Sequence, residues 1–244
     1  MKASISMRRF PPIAIASGLA AIMWTAWSAP VSAGTLQVNP VLVDINADRR
    51  TASVTVRNEE AVPVTIRAYA LTWNQADGQD NYEETAEVIV SPPIAVIAPG
   101  ASQLVRVGLR APANGARAYR LVIEEVPEAN PGGGIRVALR LNLPLYVQTS
   151  PGDVAQLRWS AQRHPDGGWS FEATNSGTGY ARLSPDAARA ATGVRFDDNV
   201  HFGTVLPGST RRWRVGGDLR VEDAVRLRQI QGTASDVAAV QDRN

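Results

Sequence analysis

One stretch, Gly134 to Val147, leaves few folds open to this chain: it reads GIRVALRLNLPLYV. Its odd positions are all large and apolar: Ile135, Val137, Leu139, Leu141, Leu143, Leu145 and Val147. A period of two places these side chains on one face of an extended strand. At about 3.3 Å per residue the segment reaches roughly 40 Å, against roughly 20 Å for an ordinary strand. A single small domain covers only part of such a face. Leu143, Leu145 and Val147 suit the strand's own core, whereas the length of the first half argues for something beyond it. The pattern alone leaves open whether Ile135, Val137 and Leu139 are core or are offered to a partner.

The same alternation recurs along the chain. TLQVNPVLVDI, TASVTVRNEE, VPVTIRAYALTW, SQLVRVGLRA and ARAYRLVIEEVP are β-rich runs. EVIVSPPIAVIAPG is interrupted by Pro92-Pro93 and stopped at Pro99-Gly100, and NQADGQDNYEE reads as a polar turn region. About seven strands at spacings of about ten residues, with almost no helical period, predict an all-β protein of the immunoglobulin-like sandwich class. The expected layout is an N-terminal immunoglobulin-like domain over 34–148, a linker at 149–153 and a smaller β-sandwich over 154–244. The second domain's runs, QLRWSAQR, GWSFEATN, GYARLSP, GVRFDD, TVLPGSTRRWRVGG and VRLRQIQGTAS, are shorter and more polar. DAARAA holds a helical turn but is too short to stand alone. Residues from about Asp236 to Asn244 read as a frayed tail, and no short repeat is evident.

Residues 1–33 stand apart. Lys2, Arg8 and Arg9 precede an apolar run around Ile13 to Trp27, and Val31-Ser32-Ala33 closes it. That order is a secretory signal peptide cleaved after Ala33. The chain carries 25 Lys and Arg against 23 Asp and Glu; the leader holds three of the bases, which leaves 22 against 23. Bulk attraction to nucleic acid thereby loses its support. Every remaining basic residue is Arg, the better side chain for a bidentate grip on a carboxylate. The absence of Cys removes thiolate metal sites and thiol nucleophiles and leaves core packing alone to hold an exported chain.

Catalytic chemistry finds little support. His164 in RHPDGG and His201 in DDNVHFG sit in turn sequences without clustered partners. No metal-ligand spacing and no G-x-S-x-G is present, and Gly132 to Gly134 lack the strand-and-helix setting of a phosphate loop. Asp197-Asp198 and Glu83-Glu84 are better explained as solvated turns than as a calcium loop. The expectation is a protein that is not an enzyme and needs no cofactor, metal or nucleotide. Trp73, Trp159, Trp169 and Trp213 are open to two readings: a sugar-stacking surface of a carbohydrate-binding module, or sandwich core.

Four stretches together carry a resemblance: LQVNPVLVDI, VIVSPPIAVIAPGASQLVRV, AYRLVIEEVP and IRVALRLNLPLYV, with a weaker match in QLRW and EATNSGTGYARLS. The chain resembles the PapD-like periplasmic chaperones of the chaperone–usher pilus pathway. The resemblance implies two immunoglobulin-like domains set at an angle around a cleft, and a cis bond at Pro93. It implies a chaperone that lends its seventh strand to a pilus subunit lacking its own last strand, by donor-strand complementation, and passes the subunit to an outer-membrane usher. Ile135, Val137, Leu139 and Leu141 would be the inserted side chains, each worth roughly 1.5–3 kcal/mol when fully buried. The free protein would be able to cap that exposed edge by dimerising. The alternative from another class is a secreted adhesion or structural protein that polymerises through the same strand.

One departure stands out. Members of the family hold the subunit's terminal carboxylate with two bases, and the matching positions here are Leu42 and Pro144. The chain therefore looks more like the divergent archaic branch, whose subunits resemble spore coat U-like proteins. Arg120, mid-strand among apolar residues, is the first candidate for the carboxylate anchor; an ion pair with Glu124 or Glu125 is the competing reading. Arg158 and Arg163 are candidates for the second base, and Tyr119 suits packing.

Overall fold

The computed structural model describes residues 36–46, 49–127, 137–150, 152–165, 168–192, 201–215 and 235–238. The expected signal peptide, Ile135, and the runs GVRFDD and VRLRQIQ lie outside the described residues.

The first domain holds ten strands: β1 (Leu36–Asn39), β2 (Val43–Ile45), β3 (Thr51–Asn58), β4 (Val64–Ala76), β5 (Gln79–Glu84), β6 (Val88–Ser91), β7 (Ile94–Ile97), β8 (Ser102–Leu109), β9 (Arg117–Glu125) and β10 (Arg140–Val147). One sheet runs β1-β3-β8-β6; the other runs β2-β10-β9-β4-β5, with β7 also on β4. Their inward faces, from Val54, Val56, Val105 and Val107 on one side and Ile66, Leu121, Ile123 and Leu145 on the other, form one core. All pairings are antiparallel except β2 with β10, which is parallel.

Proline decides where the chain changes sheet. LQVNPVLVDI is two strands: β1 lies in the first sheet and β2, beyond Pro40, in the second. VIVSPPIAVI behaves alike, with β6 in one sheet and β7 in the other across Pro92-Pro93. A residue without an N–H cannot continue a ladder, so the strand ends there and a new one begins in the facing layer. The cis bonds are Asn39–Pro40 and Ser91–Pro92, which corrects the expectation of a cis bond at Pro93. NQADGQDNYEE is likewise more than a turn. It carries the end of β4, a two-residue turn and β5, with Asp77 and Gly78 at φ 53° and 76° as such tight hairpins require.

The second domain contains β11 (Gln156–Arg163), β12 (Trp169–Asn175), β13 (Ala181–Leu183), α1 (Pro185–Thr192), β14 (Gly203–Val205), β15 (Thr210–Val215) and β16 (Ser235–Ala238). Its main sheet runs β15-β12-β11-β16, and β13 pairs β14. The supposed frayed tail thus contributes a strand from Ser235 to Ala238, registered against Gln156 to Trp159. Trp159, Trp169, Trp213, Phe171 and Phe202 fill a second core. Trp73 is buried too, so no tryptophan of the proposed sugar-stacking set is on the surface and that reading falls. The helix is longer than one turn: Ser184 caps it through its Oγ, 3.1 Å from the Ala187 N–H.

A repeat that residue-by-residue reading missed links the two domains. Asn58 ends β3 and Asn175 ends β12, and both side chains are fully buried. Asn58 Nδ2 donates to the carbonyls of Val62 and Ile97; Asn175 Nδ2 donates to those of Gly179 and Val205. Asn58 exchanges backbone bonds with Ala101 and Gly100 in Pro99-Gly100-Ala101-Ser102, as Asn175 does with Ser209 and Gly208 in Pro207-Gly208-Ser209-Thr210. Each domain therefore turns the same corner with the same buried amide, which satisfies backbone groups that a turn would otherwise orphan.

Candidate functional site

β10 is held differently along its length. Its partner β9 pairs with it from Arg140 to Val147, and the Glu125 N–H extends the ladder to the Leu139 carbonyl at 2.8 Å. On its other edge β2 pairs only with Leu145, Tyr146 and Val147. From Arg140 to Pro144 that edge has no strand beside it among the described residues. Side-chain burial follows the same gradient. Leu143, Leu145 and Val147 are core; Leu139 and Leu141 pack against the core only in part; Val137 is 75% exposed. The outward face near the open end is polar: Arg140 Nη2 donates to the Tyr69 hydroxyl at 3.0 Å, which donates to Glu124 at 3.1 Å, and Arg67 and Arg140 both pair with that carboxylate.

Arg120 lies on this outward face, directly across from Pro144 on one side and Leu71 on the other. Its guanidinium sits 3.8 Å above the Trp73 ring, with the Tyr82 ring 5.6 Å away and its hydroxyl 3.5 Å from Nη2. Nε is buried and has no hydrogen-bond partner. Among the described residues no carboxylate pairs with it, which removes the reading as an ion pair with Glu124 or Glu125. The physical reason is strand geometry: four residues along a strand span about 13 Å, and a side chain five along points to the opposite face. Glu124 is occupied by Arg67, Arg140 and Tyr69 instead.

Below Arg120, the two domains meet. Trp73, Tyr146 and Leu206 form a small buried cluster with Leu42, Ala118 and Tyr180 against it. Tyr146 stacks on Tyr180 at 3.7 Å, and its hydroxyl lies 2.7 Å from Thr204 Oγ1. The long β4–β5 hairpin reaches the second domain: Gly78 bridges Arg211, and a Cβ there would stand 3.4 Å from that of Arg212. Gln75 donates to the Thr204 carbonyl at 2.8 Å and accepts from the Leu206 N–H at 2.9 Å. Asp80 pairs with Arg211 at 2.8 Å and accepts from Trp73 Nε1 and Gln75 Nε2. Burial pushes Asp80's pKa up, but the Gln75 and Trp73 hydrogen bonds and the Arg211 charge outweigh it and hold the carboxyl below its ordinary value. Asp44, which accepts from the Tyr180 hydroxyl, is pushed up by burial.

Leu42 and Pro144, where the resemblance led us to look for bases, are thus apolar neighbours of Arg120 and its cluster. Arg158 is exposed on β11 opposite Thr174 and Asp236; Arg163 ends that strand, with its side chain outside the described residues. The second-domain groups that reach the Trp73–Tyr146 cluster are instead Tyr180, Thr204, Leu206 and Arg211. Tyr119 is core, its hydroxyl 2.5 Å from Glu87. His164 bonds Ser170 Oγ at 2.6 Å, and among the described residues no cluster of His, Asp and Glu is fit to hold a metal. The sequence reading missed the roles of Trp73, Asp80 and Arg211. The adjacent Asp77-Gly78 was the available signal, since it marks a hairpin.

Residues 35–151 match the family profile of the pili and flagellar-assembly chaperones, PapD N-terminal domain. Over those residues the chain matches the PapD-like pilus chaperones. The PapD-like fold extends over most of the molecule. A chain of the CsuC–CsuE chaperone–tip adhesion subunit pre-assembly complex, from archaic chaperone–usher Csu pili of Acinetobacter baumannii, is 22% identical, with TM-score 0.58 over 74% of this chain and 90% of that one. A chain of the Salmonella enterica SafA pilin–SafB chaperone complex is 16% identical, with TM-score 0.54 over 73% and 82%. The E. coli chaperone DraB is 15% identical, with TM-score 0.52 over 77% and 88%. Among curated proteins none matches the sequence.

Proposed function

We propose that this chain is a periplasmic chaperone that binds pilus subunits by lending them β10, stabilises them until assembly, and delivers them to an outer-membrane usher. The observation that carries the reading is the gradient along β10 and the residues before it: Leu143 to Val147 are built into the domain, Leu141 and Leu139 are only partly covered, Val137 is exposed, and among the described residues no strand lies beside the edge from Arg140 to Pro144. Main-chain bonds along Arg140 to Pro144 supply affinity, and Ile135, Val137, Leu139 and Leu141 fill the subunit's groove. Arg120 anchors the subunit's C-terminal carboxylate; its buried, unpartnered Nε and the lack of an acid paired with it among the described residues support that role. Arg158 and Arg163 are the proposed sources of a second base. Binding and strand exchange need no nucleotide and no catalysis.

The archaic branch, with spore coat U-like subunits, is favoured by Leu42 and Pro144 at the usual basic positions. A separate apolar strip supports the usher contact: Ile94 and Val96 on the outward face of β7 are 61% and 67% exposed, and such strips mark partner surfaces. The free β10 edge also favours a self-capped dimer when no subunit is present. Export by residues 1–33, and a first domain over 34–148 joined through 149–153 to a second over 154–244, complete the proposal.

Periplasmic co-expression with candidate pilin subunits tests it. Wild type recovers a small β-rich partner in equal amount; Val137→Asp/Leu139→Asp stays folded and loses it, and Arg120→Ala weakens it. Recovery of the partner by the folded double variant would sink the lent-strand mechanism, and ladders of the chain with itself would favour an adhesin.

A further inference from the structure

Trp73 has two attachments that concern different parts of the molecule. Its ring face carries the Arg120 guanidinium at 3.8 Å, and its indole N–H donates to Asp80 Oδ1 at 2.8 Å. Asp80 Oδ2 in turn pairs with Arg211 of the second domain at 2.8 Å, in a setting where both side chains are largely buried. Gln75 reinforces the joint, since its Nε2 reaches both Asp80 and the Thr204 carbonyl. Four groups therefore stand in contact in series: Arg211, Asp80, Trp73 and Arg120.

A guanidinium stacked on one ring, with a buried Nε and no acid paired with it among the described residues, takes its direction from that ring. The ring in turn takes its plane from the bond to Asp80 and from packing on Tyr146 and Leu206. We infer that Asp80 and Arg211 are positioning residues for an anion site at Arg120, so that carboxylate binding there and the contact between domains strengthen one another. The inference rests on the reading of Arg120 as a carboxylate anchor. It assigns the inter-domain ion pair a part in recognition, beyond holding two domains together. Coupling of this kind is reciprocal: a bound carboxylate that fixes Arg120 also favours the docked hairpin.

The test uses the full secreted chain, with N-acetylglycine as carboxylate probe and N-acetylglycinamide as its uncharged match. Binding is followed by the NMR signals of the Arg120 Nε–H and the Trp73 indole N–H. Wild type is expected to bind the acid more tightly than the amide, and Arg120→Gln to erase that preference. Asp80→Asn keeps an oxygen for the indole but removes the charge; Arg211→Gln removes the other charge. Each is expected to weaken the acid roughly threefold to tenfold and leave the amide unchanged, with the double variant no weaker than either single one. Arg211→Lys should recover part of the loss. If wild type and Arg120→Gln do not distinguish acid from amide, the anchor itself is wrong and the inference falls with it. If they do, but Asp80→Asn and Arg211→Gln bind the acid as wild type does, the anchor stands and the coupling is refuted. Should Asp80→Asn not fold, Arg211→Gln and Arg211→Lys decide the same question.

Discussion

The two halves of β10 share one sequence pattern and meet opposite fates. Leu143, Leu145 and Val147 close the first domain's core, with β9 on one edge and β2 on the other for the last three residues. Val137, just before it in the same alternation, is largely exposed, and among the described residues the segment from Arg140 to Pro144 has a strand on one side only. What separates them is the end of the surrounding sheet. An apolar side chain at a strand position becomes core or docking surface according to whether other strands run alongside it, a property of its neighbours rather than its own.

That contrast can be broken by substitution. Leu145→Asp puts a carboxylate where the core has no partner for it, and should cost more than about 4 kcal/mol, enough to unfold the first domain in a urea titration. Val137→Asp should change the same titration by less than about 0.5 kcal/mol. Equal losses at the two positions would mean that the halves do not differ. In subunit capture the order reverses among folded variants: Val137→Asp/Leu139→Asp loses the partner, and Arg120→Ala weakens it by about tenfold or more. Leu141→Ala sharpens the boundary. Being only partly buried, it should destabilise by about 1–2 kcal/mol and also weaken capture, whereas an effect on one measurement alone would move the boundary by two residues.

The smallest expected effect is that of acid on the inner half's support. Tyr146, on β10, leans on the second domain beside the Asp80–Arg211 pair. Asp80's folded pKa is depressed, so its contribution is complete above the ordinary carboxylate value of about 3.9 and is lost as pH falls through the lower folded value. The group is partly solvated, and the loss should stay below about 1 kcal/mol. Asp44, raised by burial, acts in the opposite sense, favouring the folded state as it takes up a proton. Thermal unfolding of wild type and Asp80→Asn between pH 6 and pH 3 isolates the first contribution: the difference between them should shrink in acid, and a constant difference would exclude the ion pair as its source.

Much of this was legible in the residues. Alternation marked the strands, Pro92-Pro93 marked where one of them breaks, and the run from Ile135 to Val147 marked a face too long for one domain, whereas LQVNPVLVDI read as one strand and the break at Pro40 emerged only in the fold. Other features were invisible for a physical reason. The corner built on Asn58 and its twin on Asn175 joins residues some forty positions apart in one domain and about thirty in the other, so no local pattern displays it. NQADGQDNYEE looked like a turn because its polar residues serve a hairpin whose partner is the second domain.

The amino-acid sequence by itself determined the period of two, the places where proline forbids a ladder, and the presence of an arginine in an apolar strand, because these depend on neighbours along the chain. The tertiary structure alone decided which edge of β10 is free, how far its apolar face is covered, and that Arg120 faces Trp73 rather than an acid. Those outcomes depend on the register of strands distant in sequence, and strand geometry carries Arg120 away from the two glutamates that follow it.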